Sequence, residues 1–373
     1  GVLSIIKNTS TPGNISFATR IDSVASNNVT SVQLVDLDGD GKLDIVTSTT
    51  INNSVVVYRN LSTPGNVFLG AKQTFAVGGT NAWGLSFGDL DSDGKTDIVT
   101  SNSGGGSFSI LRNTSVLGAI NFASFTTVSS ASIVNPLQVI VADIDNDNKR
   151  DVILFNNTGN NVLIYKNTTV SVGAISIGTT PIVLTANSGP HRGDVADVDG
   201  DGKLDITCSN YASSNSSIFR NLSVPGNIAF ASKVDFSAPN NVSSTLLKDI
   251  DNDGKPELIQ SYGTGASSRI GVYRNFSSAG SITAGSFGSR VDFLVGNEPR
   301  TLTVLDIDND SKVDVVTANF YGSNLSILRN IGIQSNGLVA HYPFNGNAGD
   351  SSGFGNHGTL GIGSSAPILT TDR

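Results

Sequence analysis

Six nonapeptides in this chain carry carboxylates at their first, third, fifth and ninth positions. They are Asp36, Asp38, Asp40 and Asp44; Asp89, Asp91, Asp93 and Asp97; Asp143, Asp145, Asp147 and Asp151; Asp197, Asp199, Asp201 and Asp205; Asp249, Asp251, Asp253 and Glu257; and Asp306, Asp308, Asp310 and Asp314. Four acids at that spacing converge on one point and repel each other unless a cation lies among them. Oxygen donors without His or Cys select a hard ion, calcium rather than zinc. About six calcium ions are therefore expected. The seventh residue of each loop is Lys42, Lys95, Lys149, Lys203, Lys255 or Lys312. Its backbone carbonyl is expected to join the ligand set while its amine points to solvent. Gly at the sixth position supplies a left-handed turn. Asn148 and Ser311 replace it in the third and sixth loops, and Glu257 replaces the ninth Asp of the fifth. The fifth and sixth loops are expected to differ in affinity.

Solvated Asp-Gly turns are the plain alternative, but six copies in register argue against it. A calcium helix-loop-helix hand opens the same way, yet it needs flanking helices and an acid at position twelve. Here a strand-like run follows the ninth acid, as in Ile45-Val46 and Ile98-Val99. Only seven of the 31 acids lie outside the loops, and six divalent ions would move the formal net charge from −8 to +4. The acidity of the chain is thus largely metal-ligand chemistry, and its sign disfavours nucleic acid as a partner.

The elements that must hold these loops recur with them. The first acids lie 53, 54, 54, 52 and 57 residues apart. An apolar run precedes each loop and another comes after it. A third run ends in Asn, as in Val55-Val-Val-Tyr-Arg-Asn60 and Leu163-Ile-Tyr-Lys-Asn167. It occurs seven times, beginning with Leu3-Ser-Ile-Ile-Lys-Asn8. A turn such as Ser62-Thr-Pro-Gly-Asn66 leads to a fourth run, as in Ile15-Ser-Phe-Ala18 and Ile228-Ala-Phe-Ala231. A unit of four short strands cannot bury both faces alone, and a ring of such units can. The expected fold is an all-β propeller of four-stranded blades. Seven third strands favour seven blades, the first cut at its N-terminal side, while six loops allow six.

Composition agrees. Glycine numbers 41 in 373 residues, and no amphipathic helical stretch or membrane-length apolar run is evident, so membrane insertion is not expected. The single cysteine, Cys208, excludes an intrachain disulfide. It is expected to be a small buried hydrophobe.

With six loops and their flanking runs in place, residues 1–331 resemble the FG-GAP or VCBS repeat family, which includes the integrin α-subunit head and many bacterial surface proteins. The resemblance implies a propeller, usually seven-bladed, with calcium in the first inter-strand loop of a blade. It also implies an extracellular or cell-surface module that binds protein or glycan. Residues 332–373 change character. The segment from Gly337-Leu-Val-Ala-His-Tyr-Pro-Phe344 to Leu360 resembles the opening of a laminin-G-like or concanavalin-like jelly roll. That pairing implies a fragment of a larger modular protein, with the other domains of that chain as partners.

Repeats can be compared within the chain. Six residues before each loop the identity varies through Thr30, Trp83, Leu137, His191, Ser243 and Arg300, among more constant neighbours. This position begins the innermost strand near the central channel, so Trp83, His191 and Arg300 are candidate ligand contacts. Trp83 plugging the channel is the plainer alternative. Catalytic signals are sparse: three His are widely spaced and the spare acids show no pairing. The expectation is a calcium-stabilised adhesion or ligand-binding module that is not an enzyme. A spacer in a long adhesin and a polysaccharide lyase are the alternatives.

Overall fold

A computed structural model of the chain describes residues 1–332. Every strand is short, and Gly, Asn and Ser at positive φ punctuate the turns between strands. β1 (Val2–Ile5) and β2 (Ile21–Val24) form a two-stranded sheet. Blade A comes next as β3 (Val29–Val35), β4 (Asp44–Thr49), β5 (Ser54–Tyr58) and β6 (Gln73–Ala76). Blade B is β7 (Ala82–Gly88), β8 (Asp97–Asn102), β9 (Ser107–Leu111) and β10 (Thr126–Ser129). Blade C is β11 (Pro136–Ala142), β12 (Asp151–Asn156), β13 (Asn161–Tyr165) and β14 (Ile182–Thr185). Blade D is β15 (Pro190–Ala196), β16 (Asp205–Asn210), β17 (Asn215–Phe219) and β18 (Val234–Ser237). Blade E is β19 (Val242–Lys248), β20 (Glu257–Tyr262), β21 (Arg269–Tyr273) and β22 (Val291–Leu294). Blade F has three strands, β23 (Pro299–Leu305), β24 (Asp314–Asn319) and β25 (Asn324–Leu328). All pairings are antiparallel between sequence neighbours.

The fold is thus an all-β, six-bladed propeller, and the expectation of seven blades is not met. The reason lies in Leu3–Asn8, whose third-strand pattern forms part of a two-stranded sheet and not of a four-stranded blade. Its strand, β1, pairs with β2 alone among the described residues. The fourth strands also begin later than the sequence suggested. Phe17 and Phe230 make isolated bridges back to Asn8 and Asn221, closing the turn, and the sheet strand starts several residues on. The jelly-roll resemblance falls on residues outside those described. Two three-residue 3₁₀ turns, Gly265–Ser267 and Ala284–Ser286, are the helical elements among the described residues. None is long and apolar enough to cross a membrane.

The core lies between blades. Val46, Val55 and Val57 of blade A pack with Leu85 and Ile98 of blade B. Ile153, Phe155 and Val162 of blade C pack with Ile206 and Cys208 of blade D. Second strands such as β4, β8 and β12 are buried at every position. Both faces are covered, which explains why these strands lack the strict alternation of a half-exposed strand. Cys208 is fully buried as expected, and burial pushes its thiol well above the ordinary range.

Candidate metal loops and central channel

Each acidic loop joins the first strand of a blade to the second. Its backbone is set by its own carboxylates. In blade A, Asp36 accepts from the N–H groups of Gly39 and Gly41, both at 2.8 Å. Asp40 accepts from the Lys42 N–H at 3.0 Å. Asp44 accepts from Leu37 N–H at 3.0 Å and from Asn60 N–H at 2.8 Å. The left-handed sixth position appears as expected, at Gly41 (φ 81°), Asn148 (φ 64°) and Ser311 (φ 68°). The fourth position is left-handed as well, at Gly39, Ser92, Asn146, Gly200, Asn252 and Asn309. Gly, Asn and Ser tolerate that conformation unequally, Gly at no steric cost.

Carboxylate oxygens of Asp89, Asp91 and Asp97 lie within 4.8 Å of one another, as do those of Asp143, Asp145 and Asp151 and of Asp197, Asp199 and Asp205. Asp249, Asp251 and Glu257 do the same, while in the first loop the group is Asp36, Asp38 and Asp40. The donors fit a hard divalent cation. One oxygen each of Asp91, Asp145 and Asp308 is buried without a hydrogen-bond partner, at the third position in each case. Burial, and then the neighbouring acids, push Asp97 up to about 6 and Asp151 and Asp205 up to about 7, against opposing backbone N–H bonds. Glu257 is likewise pushed up to about 7, burial being the main cause. Such a site holds more negative charge than its surroundings neutralise.

A basic residue just before the third-strand Asn shares the load. Arg59 donates through Nε to Asp38 at 2.5 Å and through Nη2 to Asp40 at 2.8 Å. Arg112, Arg220 and Arg329 repeat this with their own third- and fifth-position acids, and Lys166 pairs with Asp145 and Asp147. The pairing uses one oxygen of the third acid; the other has no partner in Asp91, Asp145 and Asp308 and accepts the N–H of the fifth residue in Asp38 and Asp199. The fifth loop is looser. Arg274 is 42% exposed, and Asn275 N–H reaches Glu257 at 3.3 Å rather than the 2.7–2.8 Å found where the ninth residue is Asp.

The loops also fasten one blade to the next. The Asn113 side-chain amide of blade B donates to the Leu37 carbonyl in the loop of blade A, at 2.9 Å. Asn167, Asn221, Asn275 and Asn330 reach the Leu90, Ile144, Val198 and Ile250 carbonyls of their preceding blades in the same way. Each also accepts from an N–H two residues on, as at Thr169, which caps the strand end. Gly173 and Gly226 N–H groups donate to Asp91 and Asp145 across the same boundary. Several of these Asn stand in Asn-X-Ser/Thr triplets. Asn113, Asn167 and Asn221 are fully buried, which excludes glycan attachment in the folded chain.

The six varied residues of the first strands share one feature. Register shifts fall between Pro136 and Gln138, Pro190 and Gly193, Val242 and Ser244, Pro299 and Thr301, Val29 and Ser31, and Ala82 and Leu85. Thr30, Trp83, Leu137, His191, Ser243 and Arg300 therefore all sit in β-bulges, which re-aim side chains out of the ladder. Trp83 and Arg300 line one cavity of about 1250 Å³ together with Thr30 and Arg192. Arg300 is held by Glu298, with Nη2 donating at 2.9 Å, and stacks 3.9 Å from the Phe320 ring. His191 serves the ring instead: Nδ1 lies 2.7 Å from the Ser243 carbonyl of the next blade, and the imidazole faces Tyr211. Burial, with the Arg192 and Arg300 charges behind it, lowers its pKa to about 4, so the imidazole is neutral. Arg192 was not singled out from sequence. It is partly buried, its Nε has no hydrogen-bond partner, and no carboxylate pairs with it among the described residues. Burial and then the Arg300 charge lower its pKa to about 10.

The family model described as FG-GAP-like repeat matches residues 91–154, 143–208 and 197–259. Blades B to E are similar to FG-GAP-like repeats. No curated protein matches the chain. Among solved structures, a candidate 6-phosphogluconolactonase from Bacteroides fragilis is similar over 88% of this chain and 94% of its own, at 17% identity and TM-score 0.52. The periplasmic gluconolactonase of Pseudomonas aeruginosa is similar over 87% and 92%, at 12% identity and TM-score 0.52. A functionally unknown protein from Desulfotomaculum acetoxidans is similar over 87% and 95%, at 12% identity and TM-score 0.52. At those identities the likeness is one of fold. It nonetheless corrects the expectation of a non-enzyme, because propellers named as lactonases share the architecture.

The FG-GAP-like units bring together most of the acids expected from sequence. Apart from the first loop, the groupings above take the first, third and ninth acids. The fifth-position acids Asp93, Asp147 and Asp201 instead accept the N–H of the residue two on. The Arg or Lys partner and the left-handed fourth position were missed. Both were present in the sequence, as a basic residue before each repeat Asn and as Gly, Ser or Asn at position four.

Proposed function

We propose that the chain is a calcium-stabilised binding module acting outside the cell, with an anionic ligand, such as an acidic glycan, engaged at the channel. The observation that carries this reading is Arg192, a desolvated guanidinium without a carboxylate partner, sharing a cavity with Arg300 and Trp83. A buried charge without a counter-ion is costly, and a ligand carboxylate or sulfate would relieve that cost. Arg offers planar paired donors for such a group, and Trp83 offers a flat apolar face for a sugar ring. Calcium, when bound, supplies the positive charge that lets the crowded acids remain ionised. The protein's share is to hold those acids in place, through backbone N–H bonds and the paired Arg or Lys.

Titration with dextran sulfate against neutral dextran tests the reading. Retention of the sulfated polymer alone is expected, weakened at least tenfold by Arg300→Gln or Trp83→Ala with the fold intact. Equal binding of both polymers, or none, contradicts it. Hydrolysis of 6-phosphogluconolactone is measured in parallel, because a propeller of this fold is named for that substrate. Turnover there would replace the binding reading with a catalytic one.

A further inference from the structure

The six acidic loops are not one structure repeated. They fall into two groups by what the third acid does with its oxygens. In blades B, C and F the fifth-residue N–H donates to the first acid: Asp93 to Asp89 at 3.2 Å, Asp147 to Asp143 at 3.1 Å and Asp310 to Asp306 at 3.1 Å. The side chains of the third acids, Asp91, Asp145 and Asp308, are 0% exposed, and Oδ1 of each has no hydrogen-bond partner. In blades A, D and E the fourth-residue N–H donates to the first acid instead, from Gly39, Gly200 and Asn252 at 2.7–2.8 Å. The fifth-residue N–H there reaches Oδ1 of the third acid, at 3.2 Å in Asp38, Asp199 and Asp251. In blade D the Asp201 N–H is shared with Asp197 at 3.1 Å.

A feature outside the loops divides them in the same way. The turn after the third-strand Asn brings a glycine against the loop of the preceding blade. Gly173 N–H donates to Oδ2 of Asp91 at 2.8 Å, Gly226 to Asp145 at 2.9 Å and Gly13 to Asp308 at 3.0 Å. Gly118 and Gly280 hold the equivalent place beside Arg59 and Arg220. They donate to neither Asp38 nor Asp199, whose Oδ2 atoms are held by those arginines alone among the described residues. The turn following Asn330 lies outside the described residues, and the loop of blade E is grouped by its acids. Asp251 spends Oδ1 on Asp253 N–H and Oδ2 on Arg274 at 2.8 Å.

In blades B, C and F the glycine and the Arg or Lys both hold Oδ2, so Oδ1 is left among the acids with nothing to neutralise it. A buried carboxylate oxygen without a donor is costly, and a cation coordinated there relieves that cost. In blades A, D and E a backbone N–H already meets part of the demand and has to share its oxygen with the ion. The first arrangement gains more from a metal, and it is fixed before the metal arrives.

We propose that the calcium sites form two classes, three tight ones in blades B, C and F and three weaker ones in blades A, D and E, with Gly173, Gly226 and Gly13 as positioning residues. The proposal rests on the calcium reading above. Each positioning glycine belongs to the next unit of the ring: blade C for Asp91, blade D for Asp145 and the N-terminal sheet for Asp308. The first ions bound therefore strengthen those three boundaries.

Titration of the chain with calcium against a chelating dye reads the two classes. Three ions are expected to bind at least tenfold more tightly than the rest. Asp91→Asn or Asp145→Asn should remove one tight ion, and Asp38→Asn or Asp199→Asn one weaker ion. Amide exchange in the unaltered chain tests the glycines without any substitution. Exchange at Gly173, Gly226 and Gly13 should slow at least tenfold over the first three equivalents, while Gly118 and Gly280 stay unchanged. Six sites of equal affinity, or uptake in a single cooperative step, would overturn the two classes and leave the calcium reading standing. So would a tight ion lost with Asp38→Asn and kept with Asp91→Asn. Equal slowing at Gly173 and Gly118 would overturn the positioning role. A chain that binds no calcium would overturn both the classes and the calcium reading.

Discussion

The side chain of Asn8 donates to the carbonyl oxygen of Ile307, 299 positions away, at 2.6 Å. It is the same bond by which Asn113 holds Leu37 and Asn167 holds Leu90. Gly13 N–H adds a second link by donating to Asp308 at 3.0 Å. The N-terminal sheet therefore lies against the acidic loop of the last blade, and the ring closes through that loop. A cation held by a loop would therefore act on the packing between blades as well. Ordering the acids fixes the carbonyl that the neighbouring Asn reads.

Replacing that Asn should cost more in the middle of the ring than at its seam. Asn167→Ala removes two buried donor bonds, to Leu90 and Arg150, and the Thr169 cap. Losing them should cost about 2–4 kcal/mol. Asn60→Ala removes one donor bond and the Ser62 cap at a more exposed site and should cost less, about 1–2 kcal/mol. Urea unfolding of the two variants gives the comparison, and equal losses would contradict the fastening role.

Backbone strain in the loops is a second, smaller quantity. Ser311 holds φ 68° and Asn148 φ 64° at positions where four other loops have Gly. Ser311→Gly should raise stability by up to about 1 kcal/mol, and Asn148→Gly by less, because Asn accepts the left-handed region more readily. Melting temperatures in excess calcium report the ranking.

His191 should add a pH dependence of its own. Its pKa in the folded chain is about 4, lowered first by burial and then by Arg192 and Arg300, while the Ser243 carbonyl opposes the shift. The unfolded value is about 6.5. Above that pH the ring is neutral in both states and contributes nothing. As pH falls from about 6.5 toward 4 the unfolded chain takes up the proton and the folded chain resists it. Stability should fall by up to about 3 kcal/mol across that window. His191→Gln, which keeps a donor for Ser243, should flatten this part of the profile in chemical denaturation.

Much of the architecture was legible because it repeats. The acidic nonapeptides, the Asn-terminated third strands and the apolar second strands recur with fixed order, and blades follow from them. What the sequence hid has local causes. Trp83 and Arg300 could be named as varied positions, but the bulge that turns them toward the channel is a matter of register, which composition does not encode. Arg192 differs from its repeat neighbours one position beyond the varied site, and its lack of a counter-ion appears only when the strands are assembled. Seven third strands suggested seven blades. Strand counting does not reveal that β1 has β2 as its one strand partner among the described residues. The fourth strand was misplaced because Phe17 and Phe230 look like strand residues, although they close a turn.

The most direct test of the central claim, that the acidic loops are structural calcium sites joining blades, is metal counting by mass spectrometry alongside thermal unfolding with calcium and with a chelator. About six ions per chain are predicted. Each site should stabilise the fold by about 2.7 kcal/mol at a hundredfold excess over its dissociation constant, so chelation should lower the melting temperature steeply. A chain that binds no calcium and melts at the same temperature in both conditions would contradict the account.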